Sequence, residues 1–307
     1  MKVLVLGSRG MVGSSVARSL KEDSNNFYVI ESNRQETNLF SLEETKSLIS
    51  SHKPNIIVNS AAKVGGIMAN STNRSEFIFS NLKINMNVIE SIIDFPEINL
   101  INLGSSCIYP LGAKVPINES SLMSGILEPT NSPYAMAKLT AIEMGDAISK
   151  EFGHKIINLM PTNLYGPNDN FSESDSHVIP GLIYRMHKAK KTEDETFSVW
   201  GTGKPLREFL HVDDLSNAIK FFINENINEG LYNVGSGQEI SIKELVKMIK
   251  AVVGFTGDLI FDDTKPDGNP RKLLDSTKLM ELGWKPSKDL NTGLDETYEW
   301  FLNNKVL

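Results

Sequence analysis

Cysteine is almost absent from this 307-residue chain. Cys107 stands alone, so no intrachain disulfide can form, and a reducing compartment, the cytoplasm, is expected. Basic charge is also scarce. Thirty-one Lys and Arg stand against 38 Asp and Glu, a net charge of −7, which argues against nucleic-acid or membrane-surface partners because a phosphate backbone needs a basic face. Long apolar runs are missing. No stretch approaches the roughly 18 apolar residues of a membrane span, and the run from Met1 to Gly7 stops after a strand's length, too short for a secretory leader. No group of His, Cys and Asp has metal-ligand spacing, so no metal is expected. Internal repeats, low-complexity tracts and flexible linkers are likewise lacking.

What is present is an ordinary globular composition, 40% hydrophobic and 22% charged. The length suits one large α/β unit or two lobes sharing a core. Apolar runs ending in Gly or polar residues predict strands at 2–6, 27–31, 55–59, 99–104 and 155–160. Between them, helical periodicity runs over 11–22, 42–51, 74–94 and 133–152. This alternation implies a Rossmann-type doubly wound parallel sheet with right-handed crossovers. After Pro161 the rhythm breaks into short elements, with helices at 177–190 and 241–253. The boundary is therefore set at 163. Residues 1–163 are expected to bind the nucleotide cofactor, with about 207–223 returning to them as one more strand and helix. Residues 164–307 are expected to form a smaller substrate lobe.

Gly7-Ser8-Arg9-Gly10-Met11-Val12-Gly13 falls on the first strand-to-helix turn. Glycines there permit a tight turn and let a pyrophosphate reach backbone N–H groups at the helix N-terminus. The spacing is Gly-x-x-Gly-x-x-Gly, and its position makes a dinucleotide the expected ligand. An NAD site usually places a carboxylate on the ribose 2′-OH at the end of the second strand, where Glu31 lies. Arg9 and Arg34 stand against it. Two guanidinium groups at one point suit a 2′-phosphate, so NADP is expected.

Tyr134 and Lys138 are spaced i, i+4 early in a helix, which puts both on one face. A lysine charge beside a tyrosine is expected to lower the phenol's pKa. Such a tyrosine can pass a proton to a carbonyl oxygen as hydride reaches the carbon. Ser105, just past the fourth strand, is placed to hydrogen-bond the same oxygen. Behind a glycine loop this reads as a reductase triad, whereas an isolated Tyr-x-x-x-Lys would mean little. His211 reads as structural, Asp213 or Asp214 as a helix cap, and His52, His154 and His187 as surface residues.

At these residues the chain resembles the extended short-chain dehydrogenase/reductases, and within them the GDP-L-fucose synthases, which are GDP-4-keto-6-deoxy-mannose epimerase-reductases. Further segments carry the resemblance: Ala61 to Ile67 with Ala69-Asn70, Gly104 to Pro110, Glu128 to Asn131, Met160 to Pro167, Asp169 to Phe171, Ser176 to Pro180, Arg207 to Asp214, Lys265 to Gly268 and Pro270 to Asp275. They span nearly the whole chain in order.

The resemblance implies a reduction triad of Ser105, Tyr134 and Lys138, and an epimerisation acid/base pair of Cys107 and His177. It implies cofactor contacts from Gly7, Arg9, Gly10, Met11, Val12, Gly13, Arg34, Ala61, Ala62, Tyr134, Lys138, Pro161, Asn163, Leu164 and His177. It implies substrate contacts from Ser106, Cys107, Asn163, Val178, Trp200, Arg207 and Lys265, with Arg207 on the diphosphate side. NADPH, a GDP-4-keto-sugar and a homodimer through the helices at 74–94 and 133–152 come with it.

The chemistry is coherent. A C4 keto group makes the protons on C3 and C5 acidic, and cysteine and histidine are side chains able to exchange protons near neutral pH. The oxygen of the resulting enolate would be stabilised by the groups that serve reduction. Several alternatives stay open. The chain could be a C4-reductase only, acting on a GDP-4-keto-heptose, with sugar choice set around 122–127 and 171–175. A 4,6-dehydratase would want acidic residues beside Ser105, where Ser106-Cys107-Ile108 supply none. An NAD-dependent sugar-nucleotide 4-epimerase and a non-enzymatic redox sensor complete the set.

Overall fold

The computed structural model describes residues 1–173, 175–265 and 267–304. In chain order the elements are β1 (Lys2–Leu6), α1 (Met11–Lys21), β2 (Tyr28–Ser32), α2 (Leu42–His52), β3 (Ile56–Asn59), α3 (Ile67–Thr72), α4 (Arg74–Ile92) and β4 (Asn99–Leu103). There follow α5 (Ser132–Phe152), β5 (Ile156–Pro161), β6 (Asn163–Tyr165), α6 (Val178–Lys191), β7 (Thr196–Trp200), β8 (Leu206–His211) and α7 (Val212–Asn224). The chain closes with β9 (Gly230–Val234), β10 (Glu239–Ser241), α8 (Ile242–Val253), β11 (Asp258–Asp262), β12 (Arg271–Lys272), α9 (Thr277–Glu281) and α10 (Leu290–Asn303).

Six strands form one parallel sheet in the order β2-β1-β3-β4-β5-β9. Val3 to Leu6 and Ile57-Val58 are fully buried, as strands covered by helices on both faces must be. The order reverses between β1 and β3, and that switch point is where such sheets bind ligands at their carboxyl ends. Helix ends follow the local chemistry. Ser41 caps α2, Ser241 and Glu244 form a capping box on α8, and Gly153, at φ 80°, ends α5 in the left-handed region.

The expected strand and helix at 207–223 part company. β8 pairs with β10, β12 and β6 in a separate sheet. Only α7 returns, its Leu215, Ile219 and Phe222 sharing a core with Val3, Val58 and Ile101. The sixth strand of the main sheet is instead β9, whose five residues after Glu229 carried no distinctive sequence pattern. A second core, built from Phe171, Ile183, Phe197, Leu245, Ile249 and Phe301, lies among α6, α8, α10 and β7. No helix among the described residues is long and apolar enough to cross a membrane.

Candidate active site

The carboxyl end of β1 turns at Gly7, whose φ of 74° and whose neighbours leave no room for a side chain. A Cβ there would lie 2.9 Å from both Cα and N of Ala61. At Gly13 it would lie 2.2 Å from the Gly7 carbonyl oxygen. The loop therefore closes tightly on Ser60 and Ala61, just past β3 and just before Ala62. Helix α1 starts at Met11 and Val12 with Gly10 as its N-cap, no side-chain cap and no acidic residue in its first turn. Its N-terminal N–H groups are thus left to a ligand, as a pyrophosphate requires.

The surroundings favour a third phosphate. Glu31 is ion-paired with Lys21. Arg9 and Arg34 are both exposed beside the turn, and Arg9 Nη1 donates to Gln35 Oε1 at 2.6 Å. The glycine cradle and these cations fit a dinucleotide bearing a 2′-phosphate.

At the end of β4 the chain enters a 3₁₀ turn over Ser106–Ile108, capped by Ser105, whose Oγ accepts the Cys107 N–H at 3.2 Å. Helix α5 brings Tyr134 against it. The phenol lies near the Ser105 hydroxyl and the Cys107 sulfur. Phe77 of α4 meets the Tyr134 ring edge to face, centroids 6.4 Å apart. One turn further, Lys138 is 3% exposed and donates to the Leu103 carbonyl at 2.6 Å.

The electrostatics correct one expectation. Burial pushes the Tyr134 phenol above its ordinary range, nearby Cys107 adds to this, and the neighbouring Ser105 hydroxyl only partly offsets it. Lys138 does not reverse the sign. Its ammonium is committed to Leu103, and burial lowers its own pKa to about 8. Tyr134 is therefore a phenol that holds its proton.

Pro161 ends β5, with Asn163 and Leu164 following in β6. Asn163 Nδ2 donates to the Glu208 carbonyl at 2.8 Å, tying this segment to β8 beside Arg207. His177 and Val178 open α6. They are carried toward the loop after β3 by Gly66, whose N–H donates to Asp175 O at 3.1 Å. Trp200 and Lys265 sit farther out, at the end of the β7–β11 pair. Trp200 is in register with Asp262, and the Lys265 N–H donates to Asp262 O at 3.2 Å. Ser174, in the segment expected to border the sugar, and Pro266, in the run that carries the resemblance, lie outside the described residues.

Several residues of the site were not singled out from the sequence. Glu208 is fully buried beside Arg207, and its carboxylate accepts N–H groups of Gly237 at 2.8 Å and Leu274 at 3.0 Å. Arg185, two turns beyond His177 on α6, sits over the rings of Phe197 and Trp200. Asp169 carries a buried Oδ2 with no hydrogen-bond partner among the described residues. Burial pushes its carboxyl up, partly opposed by the charge of His177. Lys272 reaches Cys107. Only its place in the run from Pro270 to Asp275 hinted at a role.

His211 is itself the cap of α7, its Nδ1 accepting the Asp213 N–H at 3.2 Å, so neither aspartate fills that position. His154 and His187 are buried, 2% and 7% exposed, the latter hydrogen-bonded to the Tyr298 hydroxyl at 2.7 Å. His154 follows the end of α5, whereas His187 lies within α6, where the lysines around it disguise a buried ring. The fold also gathers His211 and Asp213 with Glu296, which is too far away in sequence to be paired with them by spacing. Their carboxylates are bridged by Lys288, and the His211 lone pair is spent on the cap.

A glycine-lined first turn, with a serine past a neighbouring strand and a tyrosine and a lysine on helix α5 beside it, defines a nicotinamide-dependent short-chain reductase. The chain belongs to the NAD dependent epimerase/dehydratase family, whose model matches residues 3–235. GDP-L-fucose synthase 1 of Arabidopsis thaliana is 48% identical over 303 residues, covering 99% of this chain and 94% of that protein. Among solved structures, a GDP-L-fucose synthetase from Naegleria fowleri bound to NADP superposes with a TM-score of 0.89 at 27% identity, over 99% of this chain and 94% of that one. A GDP-D-glycero-L-gluco-heptose synthase from Campylobacter jejuni, in the presence of NADPH, gives a TM-score of 0.89 at 29% identity, over 98% of both chains.

Proposed function

We propose that this protein is an NADPH-dependent GDP-sugar epimerase-reductase that converts GDP-4-keto-6-deoxy-mannose to GDP-L-fucose. The observation that carries the reading is the convergence of Ser105, Cys107 and Tyr134 at one strand end, which puts carbonyl reduction and proton transfer at a single place. Support for the sugar comes from the 48% identity to a GDP-L-fucose synthase over the full chain.

Gly7, Gly10 and Gly13, with the N–H groups of Met11 and Val12, hold the dinucleotide phosphates, and Arg9 and Arg34 hold the 2′-phosphate. Bound NADPH supplies hydride. Tyr134 keeps its proton until negative charge develops on the C4 oxygen, then donates it. Ser105 hydrogen-bonds that oxygen and steadies the phenol. Lys138 holds its positive charge behind the phenol, anchored to β4 through Leu103. Before reduction, Cys107 and His177 exchange protons at C3 and C5, with electron density held on the C4 oxygen by Ser105 and Tyr134. Arg207, Asn163, Ser106, Val178, Trp200 and Lys265 contact the nucleotide sugar, and Ala61, Ala62, Pro161 and Leu164 line the cofactor.

In this reading residues 1–163, joined by α7 and β9, carry the cofactor, and most of 164–307 carries the sugar nucleotide. Two copies pair through α4 and α5, where Phe79, Met86 and Met136 remain exposed. Sedimentation as a monomer at micromolar concentration refutes the pairing. A reducing cytoplasm suits the lone Cys107, and recovery of the native protein from a secreted fraction contradicts that placement.

The likeness to a heptose synthase favours a second reading, C4 reduction of a GDP-4-keto-heptose after epimerisation elsewhere. The test supplies each keto-sugar with NADPH and identifies the product by NMR. Turnover confined to the 6-deoxy-hexose, with both C3 and C5 inverted, supports the first reading. Turnover confined to the heptose, without inversion, replaces it with the second.

A further inference from the structure

The ammonium of Lys272 donates to the Cys107 sulfur at 3.5 Å, from a position 165 residues away in the chain. Its backbone is fixed on both sides. In β12, Arg271 and Lys272 run parallel to Leu206 and Arg207 of β8. Just before them Pro270 O accepts the Leu206 N–H at 2.9 Å. Just after them the buried Glu208 carboxylate accepts the Leu274 N–H at 3.0 Å, and Leu273 O accepts the Ile117 N–H at 2.8 Å. Successive strand residues point to opposite sides. Arg271 points outward, its Nε donating to Glu239 Oε2 at 2.8 Å, so its neighbour Lys272 points inward to Cys107. Lys272 is half-buried, and no carboxylate among the described residues lies within 4.0 Å of its ammonium. Its hydrogen bond goes to sulfur.

We propose that Lys272 is the positioning residue for Cys107, holding the sulfur toward the sugar and favouring negative charge on it during proton transfer at C3 or C5. This rests on the role given to Cys107 above. When Cys107 acts as base, a carbon–hydrogen bond breaks and a sulfur–hydrogen bond forms. The electron pair passes to the C4 oxygen, and the reverse step returns a proton to carbon. Lys272 keeps its own proton throughout. The Tyr134 phenol from α5 also lies near the sulfur and carries no positive charge. Among the described residues, Lys272 is the cation that hydrogen-bonds the sulfur.

Because Cys107 is the sole cysteine, alkylation reports on it alone. The experiment measures iodoacetamide alkylation of the substrate-free protein at neutral pH, for the wild type, Lys272→Met and Lys272→Arg. Loss of the cation is expected to slow alkylation about tenfold, since the thiolate is the nucleophile, while Lys272→Arg stays within about threefold of wild type. Steady-state deuterium exchange at C3 and C5, run with NADP in place of NADPH, should show the matching loss in kcat with KM nearly unchanged. Where Lys272→Met fails to bind NADPH, Lys272→Gln carries the same comparison.

Alkylation at the wild-type rate in the uncharged variants overturns the proposal. So does a rise in KM with kcat unchanged, which makes Lys272 a phosphate contact beside its register partner Arg207. If the wild type exchanges no deuterium yet alkylation still responds to Lys272, the epimerase reading fails while the sulfur–ammonium contact stands.

Discussion

Lys138 donates its ammonium to the carbonyl of Leu103, the last residue of the strand that leads into Ser105. The bond joins α5 to β4 directly beneath the Ser105–Tyr134 pair, so the helix that supplies the phenol is registered to the strand that supplies the hydroxyl. A buried amine used in this way is held at a cost, because burial lowers its pKa to about 8 from 10.5. That cost makes the arrangement measurable.

Between pH 8 and 10.5 the unfolded chain keeps the Lys138 proton while the native protein has released it. Stability from this group is therefore fully present above the higher value and is lost as pH falls to the lower one. The unfolding free energy of the wild type, minus that of Lys138→Met, should rise with pH in that window by up to about 1.4 kcal/mol per pH unit. Denaturant titrations at four pH values would settle it. A flat difference shows that Lys138 titrates normally.

Tyr134→Phe removes the proton donor and keeps the ring that packs on Phe77. NADPH oxidation should fall about 10²- to 10⁴-fold, while NADPH affinity changes little. Stopped-flow turnover and fluorescence titration separate the two. A variant that turns over at the wild-type rate removes Tyr134 from the reaction.

Arg34→Ala should weaken NADPH by roughly 10- to 100-fold, the loss of charge-assisted hydrogen bonds to a phosphate, and leave NADH nearly unaffected. Calorimetry with both cofactors tests this. Equal losses contradict a 2′-phosphate site at Arg9 and Arg34.

Gly13→Ala places a methyl 2.2 Å from the Gly7 carbonyl oxygen, where backbone has no room to yield. Overpacking there should cost about 1–3 kcal/mol of stability and open the loop. NADPH affinity should fall with it. Undiminished cofactor binding by this variant would mean that the glycine loop is not the phosphate cradle.

The main sheet was readable because its strands are short, mostly apolar and regularly interrupted by amphipathic helices. β1 and β3 are covered on both faces, which leaves an unmistakable pattern. β9 and β12 escaped notice for the opposite reason. They become strands through the partners they find, β5 and β8, not through their own composition. The site divides in the same way. Glycine spacing, the Tyr134–Lys138 step and the Ser105–Cys107 turn are local and visible. Glu208, Asp169 and Lys272 act across long sequence distances, and the pKa of Tyr134 depends on burial that spacing cannot reveal. Lys138 was seen as a charge near the phenol, but its bond to Leu103 exists only once α5 is packed on β4.

The central claim is that one strand end serves both proton exchange and reduction. It is tested most directly by running the reaction on GDP-4-keto-6-deoxy-mannose in D₂O with NADPH and locating deuterium in the product by NMR. The account predicts solvent deuterium at C3 and C5 from the wild type, and its loss in Cys107→Ser from at least one of those carbons. Product formed by the wild type with neither carbon labelled contradicts it.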